Sequence, residues 1–348
     1  MRMTKHLLAT LVAGAFIAGL TINVGAQTRA VTLQLDWVVS AYHAGAFVAK
    51  EKGFYTAKGL DVSINRGFGS GDTIRVVAAG SSNFGLANIP AAIISRGKGV
   101  PVKSLAVLVG KAPESILAFE EKGIRQAKDV EGKSFAEASG AAIMVVWPAF
   151  AKHAGIDLAK VTHVPVEAAA KAATFFSGRV DWVAGFRPGF DETVIVRARK
   201  EGKKLVFIKW EDLGWKVYGS GIITSDDFLK REPKLTADFI EATLDGYAYT
   251  IEHPDEALQI ALRENPELEP EIARLSLLFG LNALITPAAR TRGVGCMEPE
   301  RMSFQIDLMS RLANITPPKA EEMYTNQFIK PKRFTVPAKL ETELAALP

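Results

Sequence analysis

The side chains best equipped for chemistry lie close together near the start of the chain, in Leu35-Asp36-Trp37-Val38-Val39-Ser40-Ala41-Tyr42-His43-Ala44-Gly45. Asp36 and His43 offer a carboxylate and an imidazole. Trp37 and Tyr42 offer flat apolar faces, each with one polar handle. Such a set can stack on a planar ligand and orient it with hydrogen bonds. Nothing else in the chain turns it into a catalytic centre by pattern. There is no Gly-x-Ser-x-Gly elbow, no HExxH and no paired CxxC, and the five histidines are scattered. The one cysteine, Cys296, has no histidine near it in sequence and cannot form an internal disulfide.

These residues need a scaffold, and hydrophobic periodicity supplies one. Val31 to Leu35 alternates as a strand, and Ala44, Phe47 and Val48 begin a helix that stops at Gly53. A loop between a strand end and a helix start sits at the carboxyl edge of a sheet, where α/β folds bind ligands. Residues 31–109 read βαβαβαβ, the alternation of a largely parallel sheet. A second unit of the same plan follows, with strands expected at Ile116 to Phe119, Ser134 to Glu137, Val161 to Val166, Val180 to Ala184 and Leu205 to Lys209. After a strand over Val217 to Thr224, Ser225 caps a helix and the chain stays helical, punctuated by prolines.

The other strand-end loops add candidates. Gly67-Phe68-Gly69-Ser70-Gly71-Asp72 is a glycine-rich turn into a helix; Gly69 and Ser70 can present N–H groups to an anion, or Asp72 can simply cap the helix. Asn88 opens the next helix. Ser139 and Gly140 follow the Ser134 strand, and Phe186 and Arg187 follow the Val180 strand, with Trp215 and Tyr218 near the return crossing. Each has a structural alternative. His43 can cap a helix, Arg187 can pair with Asp191 rather than with a ligand carboxylate, and Trp215 can pack in a core. The expected ligand-binding set is therefore Asp36, Trp37, Tyr42, His43, Gly69, Ser70, Asn88, Ser139, Gly140, Phe186, Arg187, Trp215 and Tyr218.

The chain has 348 residues, 48% of them apolar and 23% charged, which fits two soluble α/β units. Arg2 and Lys5 precede an apolar run from Leu7 to Leu20, and small residues end at Ala26. That is the pattern of a cleaved export signal over residues 1–26. Its removal leaves 40 basic and 38 acidic residues, interspersed, so no nucleic-acid partner is implied. No cysteine follows the apolar run to carry a lipid anchor, and a free periplasmic monomer is expected.

The opening stretch, followed by Ala49-Lys50-Glu51-Lys52-Gly53-Phe54-Tyr55 and Gly59-Leu60-Asp61-Val62, resembles the thiamine-pyrimidine-precursor binding proteins. These are substrate-binding components of ABC importers within the nitrate/sulfonate/taurine-type group. Asn83-Phe84-Gly85-Leu86-Ala87, Ser177-Gly178-Arg179-Val180-Asp181 and Ser225-Asp226-Asp227-Phe228-Leu229-Lys230 continue the resemblance. It implies a two-lobed periplasmic-binding-protein type II fold, with residues 27–114 plus 222–348 in lobe one and 115–221 in lobe two. It also implies hinges near Lys111 to Ile116 and Tyr218 to Ile222, a small-molecule ligand in the interlobe cleft, an ABC permease in the inner membrane as partner, and no cofactor. An aminopyrimidine, riboflavin or another aromatic, and a sulfonate, taurine or nitrate-type anion are the candidate ligands. The same family includes a pyridoxal-phosphate-dependent pyrimidine synthase. Ser82 stands where that enzyme has its cofactor lysine, and Gly214-Trp215-Lys216-Val217-Tyr218-Gly219 where it has a cysteine-rich run; a Schiff base needs a lysine amine, so these departures, with the export signal, disfavour synthesis.

Overall fold

The computed structural model describes residues 28–348; the expected signal segment lies outside the described residues. Ten strands form two five-stranded sheets. The first holds β1 (Arg29–Gln34), β2 (Leu60–Asn65), β3 (Phe84–Asn88), β4 (Val102–Val107) and β10 (Ser220–Ser225), in the order β2-β1-β3-β10-β4. The second holds β5 (Glu114–Phe119), β6 (Ser134–Glu137), β7 (Thr162–Pro165), β8 (Trp182–Phe186) and β9 (Leu205–Lys209), in the order β7-β6-β8-β5-β9. We call the two halves lobe one and lobe two.

Neither sheet is largely parallel, contrary to the expectation from alternation. β1 runs parallel to β2 and β3, but β10 is antiparallel to both β3 and β4. Lobe two repeats this: β6 is parallel to β7 and β8, and β5 is antiparallel to β8 and β9. The two crossings explain the reversal. The chain leaves lobe one after β4 and re-enters as β10 from the opposite direction, so the returning strand must run against its neighbours. Residues 210–219 make up the return crossing; Val217 and Tyr218 lie within it, and β10 begins only at Ser220. Of the interior strands, β3, β10 and β5 are buried at every position, as strands covered on both faces must be.

In lobe one the helices are α1 (Ala44–Glu51), α2 (Ser70–Ala78) and α3 (Ile89–Gly97). In lobe two they are α4 (Ala142–Ala154), α5 (Lys171–Phe176) and α6 (Asp191–Lys200). Asp72 does not cap α2; the cap position is Gly69, and Asp72 sits inside the first turn, bonded to Arg75 at 2.6 Å. The helical remainder contains α7 (Asp226–Arg231), α8 (Pro233–Glu252), α9 (Pro254–Glu264), α10 (Pro270–Leu284), α11 (Pro287–Arg292), α12 (Pro299–Ala313), α13 (Ala320–Met323) and α14 (Ala338–Ala345). Ser225 caps α7 by accepting the Phe228 N–H at 3.2 Å, as expected from sequence. α8 to α12 each begin at proline, whose missing N–H costs nothing in a first turn.

This helical segment braces both lobes. α8 and α9 pack on α1, α10 packs on the Ala41–His43 turn and on α6, and α12 packs on α3 and α4. The α1/α8 contact is tight because glycine faces it: a Cβ on Gly45 would fall 2.3 Å from the Tyr247 ring. That contact accounts for a glycine directly after Tyr42-His43-Ala44.

Candidate functional site

Asp36 leaves β1 into the first loop, and its carboxylate is buried at 3% exposure. Oδ1 accepts the Tyr42 hydroxyl and the His43 Nε2–H, the latter at 3.1 Å; Oδ2 accepts the Ser220 hydroxyl at 2.5 Å. His43 Nδ1 accepts the Ser40 N–H at 3.2 Å, which leaves Nε2 as the protonated nitrogen aimed at Asp36. Burial alone raises the Asp36 pKa, but the hydrogen bonds from His43, Ser220 and Tyr42 outweigh it. The carboxyl is held below its ordinary value. Burial, then the Asp36 charge beside it, drives the Tyr42 phenol well above its ordinary value, so Tyr42 remains a donor.

Asp36, Trp37, Tyr42 and Ser70 form the lobe-one wall of a cavity between the lobes. Lobe two supplies Glu137, Ala141, Ala142, Ile143 and Lys171 together with Phe186, Pro188, Gly189 and Phe190; the empty space they border, counting what opens to solvent, is about 380 Å³. Its centre on the lobe-two side is an ion pair. Lys171 Nζ donates to Glu137 Oε2 at 2.6 Å and to the Ala184 carbonyl at 2.7 Å, and both side chains are at most 2% exposed. The ammonium lies 3.9 Å from the Phe190 ring centroid and 5.8 Å from that of Trp37, across the cleft. The remaining Glu137 oxygen accepts the Ala138 N–H at 2.9 Å.

The polar inventory facing the cavity is short. Asp36 Oδ2 takes one donor from the protein and has room for another. Ser70 Oγ accepts the Asn88 N–H at 3.0 Å, and among the described residues its hydroxyl proton meets no acceptor. Lys171 is the cavity's cation and is committed to Glu137, so two carboxylates face one ammonium. Aromatic surface from Trp37, Tyr42, Phe186 and Phe190 makes up much of the rest. Among the described residues no group of three or more His, Cys, Asp or Glu could hold a metal ion.

Of the thirteen residues expected from sequence, Asp36, Trp37, Tyr42, Ser70 and Phe186 line the cavity. His43 stands behind it, fully buried, and holds Asp36. Asn88 does not face the ligand space: its Oδ1 caps α3 through the Ala91 N–H at 3.1 Å, and its Nδ2 donates to Glu114 at 2.9 Å. Gly69 and Gly140 lie against each other where the lobes touch, and Ser139 is exposed beside them.

Arg187 points to the other side of the β8–α6 loop. Its guanidinium lies over Phe279 and Phe207, with Nε 3.4 Å from Asp191, the structural alternative weighed for it from sequence. Trp215 is buried in a core aromatic cluster, edge-on to Phe150 at 5.5 Å and to Trp210 at 5.7 Å. Tyr218 packs under Arg301, and its hydroxyl accepts the Glu298 N–H at 2.8 Å. Arg187→Gln should therefore lower the melting temperature, because Asp191 is 2% exposed and would lose its partner, and leave cleft affinity unchanged. Parallel melting and titration of this variant check both halves; a loss of affinity with unchanged melting contradicts this placement.

Sequence reasoning missed Glu137 and Lys171. Glu137 ends β6, so the strand-end rule that selected Ser139 and Gly140 applied equally to it. Lys171 gave no local signal. It follows Ala168-Ala169-Ala170 at a helix start, and the carboxylate that makes its burial tolerable is 34 residues away.

Comparison with known proteins agrees with this architecture. A family model described as "NMT1/THI5 like" matches residues 40–257. The chain is 27% identical over 289 residues to the formylaminopyrimidine-binding protein of Halalkalibacterium halodurans, covering 81% of this chain and 86% of that one. It is 26% identical over 238 residues to the 4-amino-5-hydroxymethyl-2-methylpyrimidine phosphate synthase of Legionella pneumophila, covering 68% and 74%. The alkanesulfonate-binding protein SsuA of Xanthomonas axonopodis pv. citri, solved with MOPS, superposes with a TM-score of 0.64 at 15% identity, over 85% of this chain and 98% of that one. The fold is the two-lobed α/β fold of periplasmic binding proteins, and the chain belongs to the NMT1/THI5-like family.

Proposed function

We propose that this protein is the extracytoplasmic ligand-binding component of an ABC importer and that its cleft takes a neutral aminopyrimidine of the thiamine-precursor kind. The observation that carries the ligand assignment is Asp36. A buried carboxylate held ionised by three protein donors, with one acceptor position left toward an aromatic cavity, calls for a ligand N–H on a flat ring. Glu137 offers a second acceptor and Ser70 a donor, so an exocyclic amine beside a ring nitrogen finds complementary partners.

The same inventory weighs against the anionic alternatives. A sulfonate, taurine or nitrate would enter a cavity with two carboxylates whose ammonium is already paired, and Arg187 is turned away from it. Synthesis is disfavoured because Ser82 stands where the resemblance to the synthase calls for the lysine amine that an imine needs. Export to the periplasm, action as a monomer, hinge closure about the two crossings and docking of the closed form on a permease belong to the same proposal.

Two ligands test it by calorimetry: a formylated aminopyrimidine and the analogue with methyl in place of its ring amine. A lost hydrogen bond to a buried charge should weaken the analogue by about tenfold to a hundredfold. Trp37→Ala should weaken the parent compound by more than about tenfold through lost stacking, without unfolding the protein. Equal affinity for the two ligands contradicts the Asp36 assignment; unchanged affinity in the variant removes Trp37 from the site.

A further inference from the structure

The glycines that looked like an anion cradle in sequence make a contact between the lobes. The Gly71 N–H, in the first turn of α2, donates to the Gly140 carbonyl, in the turn between β6 and α4, at 3.0 Å. A Cβ on Gly71 would stand 3.1 Å from that same oxygen and 3.2 Å from Val145 Cγ2. A Cβ on Gly140 would stand 3.1 Å from the Phe68 carbonyl oxygen and 3.3 Å from Asp72 Cβ. Neither glycine has a left-handed φ, so neither is demanded by the backbone of its own lobe. Every close neighbour, Val145 of α4 included, belongs to the opposite lobe.

We infer that Gly71 and Gly140 are the closure contact of the cleft, a backbone latch that seats one lobe on the other at the edge of the cavity. Their chain neighbours Ser70 and Ala141 both line the cavity, so seating the glycines brings the two walls to their spacing around a ligand. The chemistry suits a reversible contact. An N–H in the first turn of a helix has no acceptor within the helix. The Gly71 N–H and the Gly140 carbonyl can therefore exchange each other for water as the lobes part, at small net cost. A side chain at either position leaves the open form untouched and crowds only the closed one. This inference rests on the reading of the cleft as a ligand site that closes.

The test uses Gly71→Ala, Gly71→Val and Gly140→Ala in the full chain, with a formylated aminopyrimidine as probe. Unliganded melting should be unchanged in Gly140→Ala and unchanged or higher in Gly71→Ala, since alanine is the better helix residue. Affinity should fall in all three, by about tenfold or more in Gly71→Val, where the added methyls overlap the Gly140 carbonyl. Amide exchange gives a second readout: the Gly71 N–H should exchange faster in Gly140→Ala than in the unsubstituted protein. Variants that bind the probe as well as the parent, with the Gly71 amide equally protected, overturn the latch. If the parent protein does not bind the probe, the aminopyrimidine reading fails on its own, and the latch is decided by the exchange comparison without ligand. Equal exchange there overturns it.

Discussion

Lys171→Met should cost the protein on the order of 3–5 kcal/mol of stability and abolish measurable affinity for the cleft ligand. The Lys171 side chain is 2% exposed and that of its partner Glu137 1% exposed, so removing the cation leaves a buried carboxylate with one backbone donor. The penalty comes from Glu137 left unpaired more than from any net worth of the pair. That distinction is testable. The double variant Lys171→Met, Glu137→Gln carries no buried charge at this position and should recover most of the melting temperature lost by the single variant, a loss on the order of 10 °C. It should not recover binding, because the cavity loses both a Glu137 acceptor and the charge facing Trp37. A single variant that melts with the parent protein contradicts the pair's structural role. A double variant that binds normally contradicts its place in the site.

Glu114→Gln should make the protein more stable at pH 8.5 and leave it nearly unchanged at pH 5. Glu114 begins β5 at the first crossing, and one of its oxygens accepts the Asn88 Nδ2–H at 2.9 Å while the other has no partner. Burial pushes its carboxyl from 4.5 up to about 8, against the smaller opposing effects of its backbone hydrogen bond and Asn88. The folded protein therefore favours the neutral acid. Below the unfolded value both states hold the proton and nothing is lost. As pH rises from about 4.5 to about 8 the unfolded chain gives up its proton first, the native state holds more protons, and stability falls; above that the curve is flat. The shift bounds the effect at on the order of 4–5 kcal/mol. Glutamine keeps the acceptor for Asn88 and cannot ionise, so it removes this slope. Glu192, pushed up to about 7 by burial, contributes with the same sign and keeps part of the slope in the variant. Denaturant unfolding of both proteins from pH 5 to pH 9 checks this. Parallel curves would falsify the assignment of a buried neutral acid at the first crossing.

The residues around Asp36 show what sequence can and cannot carry. The strand before it, the aromatic pair around it and the helix after it are all local patterns, and they put Asp36, Trp37 and Tyr42 at one sheet edge before any coordinates exist. The alternation of elements likewise gave two α/β units. The reversal of β10 and β5 was not legible, because strand direction depends on which way the chain returns from the other lobe and leaves no trace in periodicity. Arg187 and Trp215 were misplaced for a related reason. Being near a strand end fixes where the backbone is, while the side chain takes whichever side offers a partner, Asp191 and Phe279 for one and the Phe150 cluster for the other. Lys171 was invisible because a buried lysine is explained only by its distant carboxylate. The latch glycines were visible as glycines, but their purpose belongs to the opposite lobe.

One titration bears most directly on the proposed function. The purified chain beginning at Gln27 would be examined by calorimetry against a formylated aminopyrimidine, riboflavin, taurine, an alkanesulfonate and nitrate. The buried, ionised Asp36 and the paired Lys171 call for binding of the aminopyrimidine alone, with affinity reduced by Trp37→Ala. Binding of a sulfonate or nitrate, with none of the pyrimidine, would contradict the charge reading of the cleft. The ion pair of Glu137 and Lys171 would then have to open to free its ammonium for the anion.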